Sequence, residues 1–294
     1  MNEEFFTEEQ AFALLPARKP DAHKGDFGTL CGVLGCEHYR GAAVLATMGA
    51  LRVGCGIVQL ASVEACCTAV AAHLWEPIYL PLHAKSGGIF PKRQQWHALS
   101  DAARRASALL IGCGCGRGEG MRRVLERLLW ENPQKPVVLD ADALFFLAQS
   151  PALWHIRKAP LILTPHFGEM ARLCGQSVEQ IARDPVRIAT DFVATHPCVL
   201  VLKGPHTVIA APDGTIVRNS TGNAGLAKGG SGDVLAGMIA GFCAQGIAPT
   251  DAAKLGVWLH GAAADKLVKE TGYAAFLPSL LGKAIADVLC AHAR

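Results

Sequence analysis

The stretch Asn223-Ala224-Gly225-Leu226-Ala227-Lys228-Gly229-Gly230-Ser231-Gly232-Asp233 runs directly into the apolar-periodic segment 234–242. Glycines and a serine ahead of such a segment spell a loop that becomes a helix. The first N–H groups of a helix lack partners within it and carry the positive end of its dipole. Glycine lets an anion approach them closely, so Gly229, Gly230, Ser231 and Gly232 form an anion cradle. Asp233 stands in the first turn beside it, where a site that only bound phosphate would gain nothing from a negative charge. The combination suggests phosphoryl chemistry in which Asp233 removes a proton from a substrate hydroxyl. The plainer alternative is that Ser231 or Asp233 merely caps the helix.

Outward from this loop, apolar strand-like runs (29–34, 56–61, 77–80, 108–112, 137–140, 161–164, 199–203 and 207–211) alternate with helical patterns (42–53, 63–73, 94–106, 121–130, 178–195, 233–245, 250–270 and 278–292). Several strands are nearly all apolar, as parallel strands covered on both faces must be. The alternation means a doubly wound α/β sheet. Segments 207–211 and 215–218 flank the turn Ala211-Pro212-Asp213-Gly214 and read as a hairpin at an antiparallel edge. With no Pro/Ser linker, repeat or low-complexity tract, residues 1–294 read as one domain.

The 294 residues are 51% hydrophobic and 18% charged, which describes a globular chain with a substantial core. A net charge of +3 without a long Lys/Arg run, and only 6% aromatic residues, argue against nucleic acid and a membrane surface as partners. No stretch reaches the ~18–20 apolar residues of a membrane helix. The acidic start MNEEFFTEEQ is no signal peptide, so the expected location is the cytoplasm. The 11 cysteines are scattered through apolar runs, and neither Cys66-Cys67 nor Cys113-Gly-Cys115 has a second pair at zinc-site spacing. They read as buried small hydrophobes.

Ligands of such sheets bind beyond the carboxyl ends of the strands, and polar residues gather there. Lys203-Gly204-Pro205-His206-Thr207 ends one strand and begins the next, either meeting a phosphate or ribose or making an ordinary turn. In Thr164-Pro165-His166-Phe167-Gly168-Glu169, His166 is placed to hydrogen-bond a substrate. Glu169 there either holds Mg²⁺, directly or through water, or caps the helix. Asp140-Ala141-Asp142 presents two carboxylates, an Mg²⁺ or ligand edge in which Asp142 is equally an N-cap. Gly112-Cys113-Gly114-Cys115-Gly116-Arg117-Gly118 admits close backbone approach, but Arg117 occupies the sixth place where a dinucleotide fingerprint needs glycine. Lys228 precedes the glycines where a P-loop lysine would follow them.

Taken in order, these pieces resemble the ADP-dependent NAD(P)H-hydrate dehydratases of the ribokinase-like superfamily. The matching residues include Lys24-Gly25-Asp26-Phe27-Gly28, Gly41-Ala42-Ala43, Leu51-Arg52-Val53-Gly54-Cys55-Gly56, Leu139-Asp140-Ala141-Asp142-Ala143-Leu144, 163–169, Val201-Leu202-Lys203-Gly204 and 222–237. The resemblance spans roughly residues 10–290 and implies a three-layer αβα sandwich with a mostly parallel central sheet. The epimerase domain sometimes fused ahead of this unit is expected to be absent, since about twenty residues precede Lys24. The implied reaction phosphorylates the hydroxyl of hydrated NADH or NADPH with ADP, releasing AMP, and loss of phosphate restores NAD(P)H. By resemblance, Asp233 is the base and contacts the hydrate, Ala42, Gly116 and His166 line the hydrate site, and Lys203, Gly204, Pro205, His206, Thr207 and Gly232 hold the adenine nucleotide. Mg²⁺ is the expected cofactor, with binding through Asp140, through Glu169 or only through the nucleotide left open; the resemblance also implies a homo-oligomer such as a tetramer and cooperation with a separate epimerase. The chain departs from the family at Phe167, where a second proline is usual, and at Cys36-Glu37, where a glycine and a small residue are usual. The rival readings are a vitamin-precursor kinase of the same superfamily and a non-catalytic adenine-nucleotide sensor.

Overall fold

Seven consecutive parallel strands, from β10 to the edge strand β4, make up most of a ten-stranded sheet ordered β1-β12-β11-β10-β9-β8-β7-β2-β3-β4. The strands are β1 (Glu4–Phe6), β2 (Thr29–Val33), β3 (Ile57–Val63), β4 (Ile78–Leu82), β7 (Ala108–Ile111), β8 (Val137–Leu139), β9 (Leu161–Leu163), β10 (Cys198–Leu202), β11 (Val208–Ala210) and β12 (Ile216–Asn219). The pair β5 (Ala84–Lys85) and β6 (Gly88–Ile89) makes a small separate hairpin. This computed structural model describes residues 4–156 and 158–292.

The helices are α1 (Glu8–Ala13), α2 (Arg40–Arg52), α3 (Glu64–Ala71), α4 (Arg93–Arg105), α5 (Glu119–Glu131), α6 (Asp142–Gln149), α7 (Ala152–His155), α8 (Phe167–Cys174), α9 (Val178–Arg183), α10 (Pro185–Thr195), α11 (Ser231–Ala244), α12 (Pro249–Thr271) and α13 (Leu281–His292). They lie in two layers because the strands are apolar on both sides. Leu30, Leu60, Leu110, Val138, Ile162 and Val201 face one core with α2, α11, α12 and α13. The alternate residues Cys31, Ala61, Leu109, Leu139, Leu163 and Leu200 face a second core with α4, α5, α6, α8 and α10. This is the period-2 alternation of a strand with no wet face. No described helix is long and apolar enough to cross a membrane.

Two expectations need correction. The hairpin is antiparallel as expected, but it is not the edge: β1 lies beyond β12 and pairs with it in parallel. The helix expected over 178–195 is two helices. Pro185 lacks the N–H to continue α9, and Asp184, extended at φ −148°, caps α10 by accepting from Arg187 N. The cysteines behave as small core residues: all 11 are free thiols and nine are buried.

Because the seven strands run one way, the carboxyl ends of β7, β8, β9 and β10 come out along a single edge. Just past that edge His166 and Lys203 continue the ladder as an isolated parallel bridge, with Lys203 N donating to Pro165 O at 2.8 Å.

Candidate active site

The Gly-rich loop is tied down before it becomes a helix. Asp265 on α12 accepts from Gly222 N and Asn223 Nδ2, both at 2.8 Å. Lys228 Nζ donates to the carbonyls of Ala274 and Phe276. Gly230 is the N-cap at φ 105°, a left-handed conformation that any Cβ would strain. Ser231 N turns back to Lys228 O and Val234 N bonds Gly230 O, so Gly232 and Asp233 carry first-turn N–H groups that the helix itself cannot satisfy.

Asp233 meets two other strand-end groups here: single ligand-type atoms of Cys113, Asp140 and Asp233 lie within 4.8 Å of one another. Asp140, at the end of β8, is almost fully buried. Its Oδ1 accepts from Thr164 Oγ1 at 2.7 Å and Lys203 Nζ at 3.0 Å, and its Oδ2 lies 3.5 Å from the Cys113 thiol. Lys203 Nζ also lies 3.1 Å from where a Cβ on Gly232 would sit, so the ammonium borders the cradle. Burial works against the Lys203 charge, but Asp140 and Glu169 outweigh it and hold its pKa above the ordinary value. Burial, then the neighbouring Asp140 charge, pushes Asp233 up to about 7, with Lys203 and the Cys113 thiol pulling the other way. Burial first, then Asp140 and Asp233, raises the Cys113 thiol far above its usual range, so it stays protonated and donates.

The Lys203–Asp140 pair carries a stability prediction. Its side chains are 20% and 4% exposed. Removing one partner of such a pair leaves a buried charge uncompensated, at a cost of roughly 3 kcal/mol or more. Lys203→Met should therefore lower the denaturant midpoint sharply, and adding Asp140→Asn should recover part of the loss. A double-mutant cycle with no coupling would contradict the arrangement.

A cleft of about 600 Å³ opens beside this centre and is lined by Ala42, Gly116 and Asp233 together with Tyr39, Arg117, Ala141 and Asp142. Three of the four expected hydrate-site residues thus share one cavity. The fourth, His166, is not among its lining residues. Its Nδ1 accepts from Gly168 N while Glu169 Oε2 accepts from His166 N, a reciprocal helix cap that gives Glu169 its capping role. Asp142 is the first residue of α6 and no N-cap: its carboxylate accepts from Gly116 N at 2.8 Å and Arg117 Nε at 3.1 Å, fixing the glycine loop as a wall of the cleft. Between the two carboxylates Ala141 sits at φ 49°, strain of order 1–3 kcal/mol that turns Asp140 inward and Asp142 toward the loop.

The segment from Lys203 to Thr207 forms the turn between β10 and β11, closed by Thr207 Oγ1 donating to Gly204 O. His206 leans away toward Phe5, ring centroids 6.3 Å apart. Phe167, where a proline was expected, lays its ring against Gly204 and joins the His166 turn to this segment. Thr164, Cys113, Tyr39 and Asp265 escaped sequence reasoning. Thr164 and Cys113 lie within quoted motifs, but only their contacts with Asp140 reveal a use.

Of the two acidic residues considered for Mg²⁺, Asp140 has both oxygens engaged, by Thr164, Lys203 and Cys113, and Glu169 has its Oε2 engaged by the cap. The donor set at Asp140, which includes the Lys203 ammonium, does not fit a protein-held Mg²⁺.

The profile of the NAD(P)H-hydrate dehydratase family matches residues 30–287. The chain belongs to the NAD(P)H-hydrate dehydratase family. An ADP-dependent (S)-NAD(P)H-hydrate dehydratase of Neisseria meningitidis is 41% identical over 264 residues, 89% of this chain and 84% of that protein. A bifunctional NAD(P)H-hydrate repair enzyme of Moorella thermoacetica is 39% identical over 90% of this chain, which spans only 49% of the bifunctional protein. The crystal structure of an ADP/ATP-dependent NAD(P)H-hydrate dehydratase from Bacillus subtilis, co-crystallised with ATP/Mg²⁺, superposes with a TM-score of 0.83 at 33% identity over 99% of each chain. The matched region takes in most of the three-layer αβα fold described above, with the Gly-rich loop and Asp233 inside it.

Proposed function

We propose that this family member is a hydro-lyase that restores NADH and NADPH from their hydrated (S) forms at the expense of ADP. One observation carries the reading: a half-buried carboxylate, Asp233, shares a cleft with Ala42 and Gly116 and stands at the first turn of α11, whose leading N–H groups the helix cannot satisfy. A nucleotide sensor would have no use for that carboxylate. The relatives' named activities favour repair over the vitamin-precursor kinase.

The chemistry follows from the groups present. The hydrate's hydroxyl lies in the cleft against Asp233, whose raised pKa suits it to accept a proton near neutral pH. The hydroxyl oxygen attacks the terminal phosphorus of ADP, the bond to the bridging oxygen breaks, and AMP leaves. First-turn N–H groups of α11 and the Lys203 ammonium meet the charge on the transferring group. The ring nitrogen's lone pair then expels phosphate, and a proton leaves the neighbouring ring carbon to re-form the double bond. Lys203, Gly204, Pro205, His206, Thr207 and Gly232 are proposed to hold the adenine nucleotide, and Ala42, Gly116 and His166 the hydrate. Magnesium carried on the nucleotide phosphates would supply charge neutralisation there.

We further place the protein in the cytoplasm as a homo-oligomer acting alongside a separate epimerase. The reaction itself is tested by mixing hydrated NADH or NADPH with ADP and Mg²⁺, with ATP in parallel. Return of dihydronicotinamide absorbance with stoichiometric AMP supports the reading; phosphorylation of hydroxymethylpyrimidine or hydroxyethylthiazole without repair overturns it.

A pH dependence is expected. Asp233 works as a base only when ionised, so kcat/KM should fall on acidification with a midpoint at about 7. Asp140→Asn removes a charge that raises this pKa, so the acid limb should move to lower pH. A limb that stays in place would disconnect the profile from Asp233.

A further inference from the structure

Two guanidinium groups share one aromatic ring beside the cleft. Arg117 lines the cavity and its guanidinium carbon lies 4.5 Å from the Phe145 centroid; Arg172, on α8, lies 5.4 Å from the same centroid. Arg117 is further held by Asp142 at 3.1 Å, an acid that also serves Gly116 N. The ring face attracts each cation, but two like charges on one ring repel, and Asp142, which pairs with Arg117, offsets only one of them. An arginine fork presents paired N–H donors that suit a phosphate. Both guanidiniums are exposed, whereas Asp233, which lines the same cleft as Arg117, is half-buried.

We infer that Arg117 and Arg172, propped by Phe145, form an anion subsite for a phosphate of the dinucleotide substrate. The inference rests on the proposed repair reaction, which requires a substrate with its reacting ring at Asp233 and its phosphates elsewhere. With the ring at the half-buried end of the cleft, the phosphate-bearing part extends toward the exposed rim, where Arg117 stands. The same chemistry recognises either the pyrophosphate common to both dinucleotides or the 2′-phosphate that only the NADPH form carries.

The test is equilibrium binding of NADH and NADPH, followed by dihydronicotinamide fluorescence, to the full chain and to Arg117→Ala, Arg172→Ala and the double variant. Arg117→Lys keeps the charge but loses the fork, and circular dichroism checks that each variant folds. Binding to the wild type is expected to weaken with added salt. The double variant is expected to raise Kd at least tenfold, for both dinucleotides if the pyrophosphate is held and for NADPH alone if the 2′-phosphate is. In turnover, KM for the hydrate should rise by the same factor while KM for ADP does not move. Unchanged Kd values in the folded double variant, or no binding to the wild type, would overturn the subsite. A wild type that binds NAD(P)H through these arginines yet repairs neither hydrate would instead refute the reaction and leave the subsite standing.

Discussion

Asp233→Asn is expected to lower repair turnover at least ~10²-fold, the low end for loss of a general base, while ADP affinity stays within a few-fold. Asparagine keeps the shape and the helix position but cannot accept the proton. The same substitution should make the protein more stable at neutral and alkaline pH. The folded-state pKa of Asp233 is raised from 3.8 to about 7, chiefly by burial and next by Asp140. An acid raised in this way contributes stability that is fully present below the unfolded value and lost as pH rises through the folded value. At 1.36 kcal/mol per unit the loss is at most about 4 kcal/mol once the group is ionised. Asparagine carries no such loss, so its advantage should be on the order of 2–4 kcal/mol at pH 8 and vanish below about pH 4. Denaturant unfolding at the two pH values reads it directly. Unchanged turnover would remove Asp233 from the chemistry; equal stability at pH 8 would remove the strain of keeping it ionised.

Gly237→Val should be the most damaging single change in the fold. Gly237 lies on the face of α11 against α2, and a Cβ there would fall inside the contact radius of Ala46 O. Across the same seam, a Cβ on Gly49 would meet Val234 O and one on Gly241 would meet Ala50 and Val53. The two helices therefore touch backbone to backbone, and valine forces them apart. Overpacking of this kind costs ~3 kcal/mol or more where backbone must move, which for a chain of this size corresponds to roughly 6–12 °C in Tm. Activity should fall with it, because α2 carries Ala42 and α11 carries Asp233, two walls of one cleft. Gly41→Ala is the control: nothing lies within 4 Å of its Cβ position, so Tm should hold or rise. Equal effects at the two glycines would contradict the close seam.

The sheet was legible because its strands are buried on both faces and therefore read as unbroken apolar runs; β2, β3, β7, β8, β9 and β10 all fall where such runs lie. β1 was not, since Glu4-Phe5-Phe6 sits among acidic residues and becomes a strand only by pairing with β12, more than two hundred residues away. The break at Pro185 was a local signal overridden by a strong helical period on both sides. In the site, the Gly-rich loop and Asp233 announced themselves through residue type and spacing. The ion pair of Asp140 with Lys203 joins residues 63 apart in sequence, and no pattern in either motif predicts it. Asp142 illustrates a different limit: its position suited a helix cap, yet its carboxylate serves Gly116 and Arg117. Which loop comes to rest opposite a carboxylate is decided by tertiary packing.

The central claim is spatial: the terminal phosphate of ADP must rest on the first turn of α11, beside the Asp233 carboxylate. A crystal structure of the protein with ADP and Mg²⁺ measures it. The account predicts phosphate oxygens within hydrogen-bond distance of the Gly232 or Asp233 N–H and the carboxylate facing the same phosphorus. A terminal phosphate bound elsewhere, with Asp233 turned from it, would contradict the account.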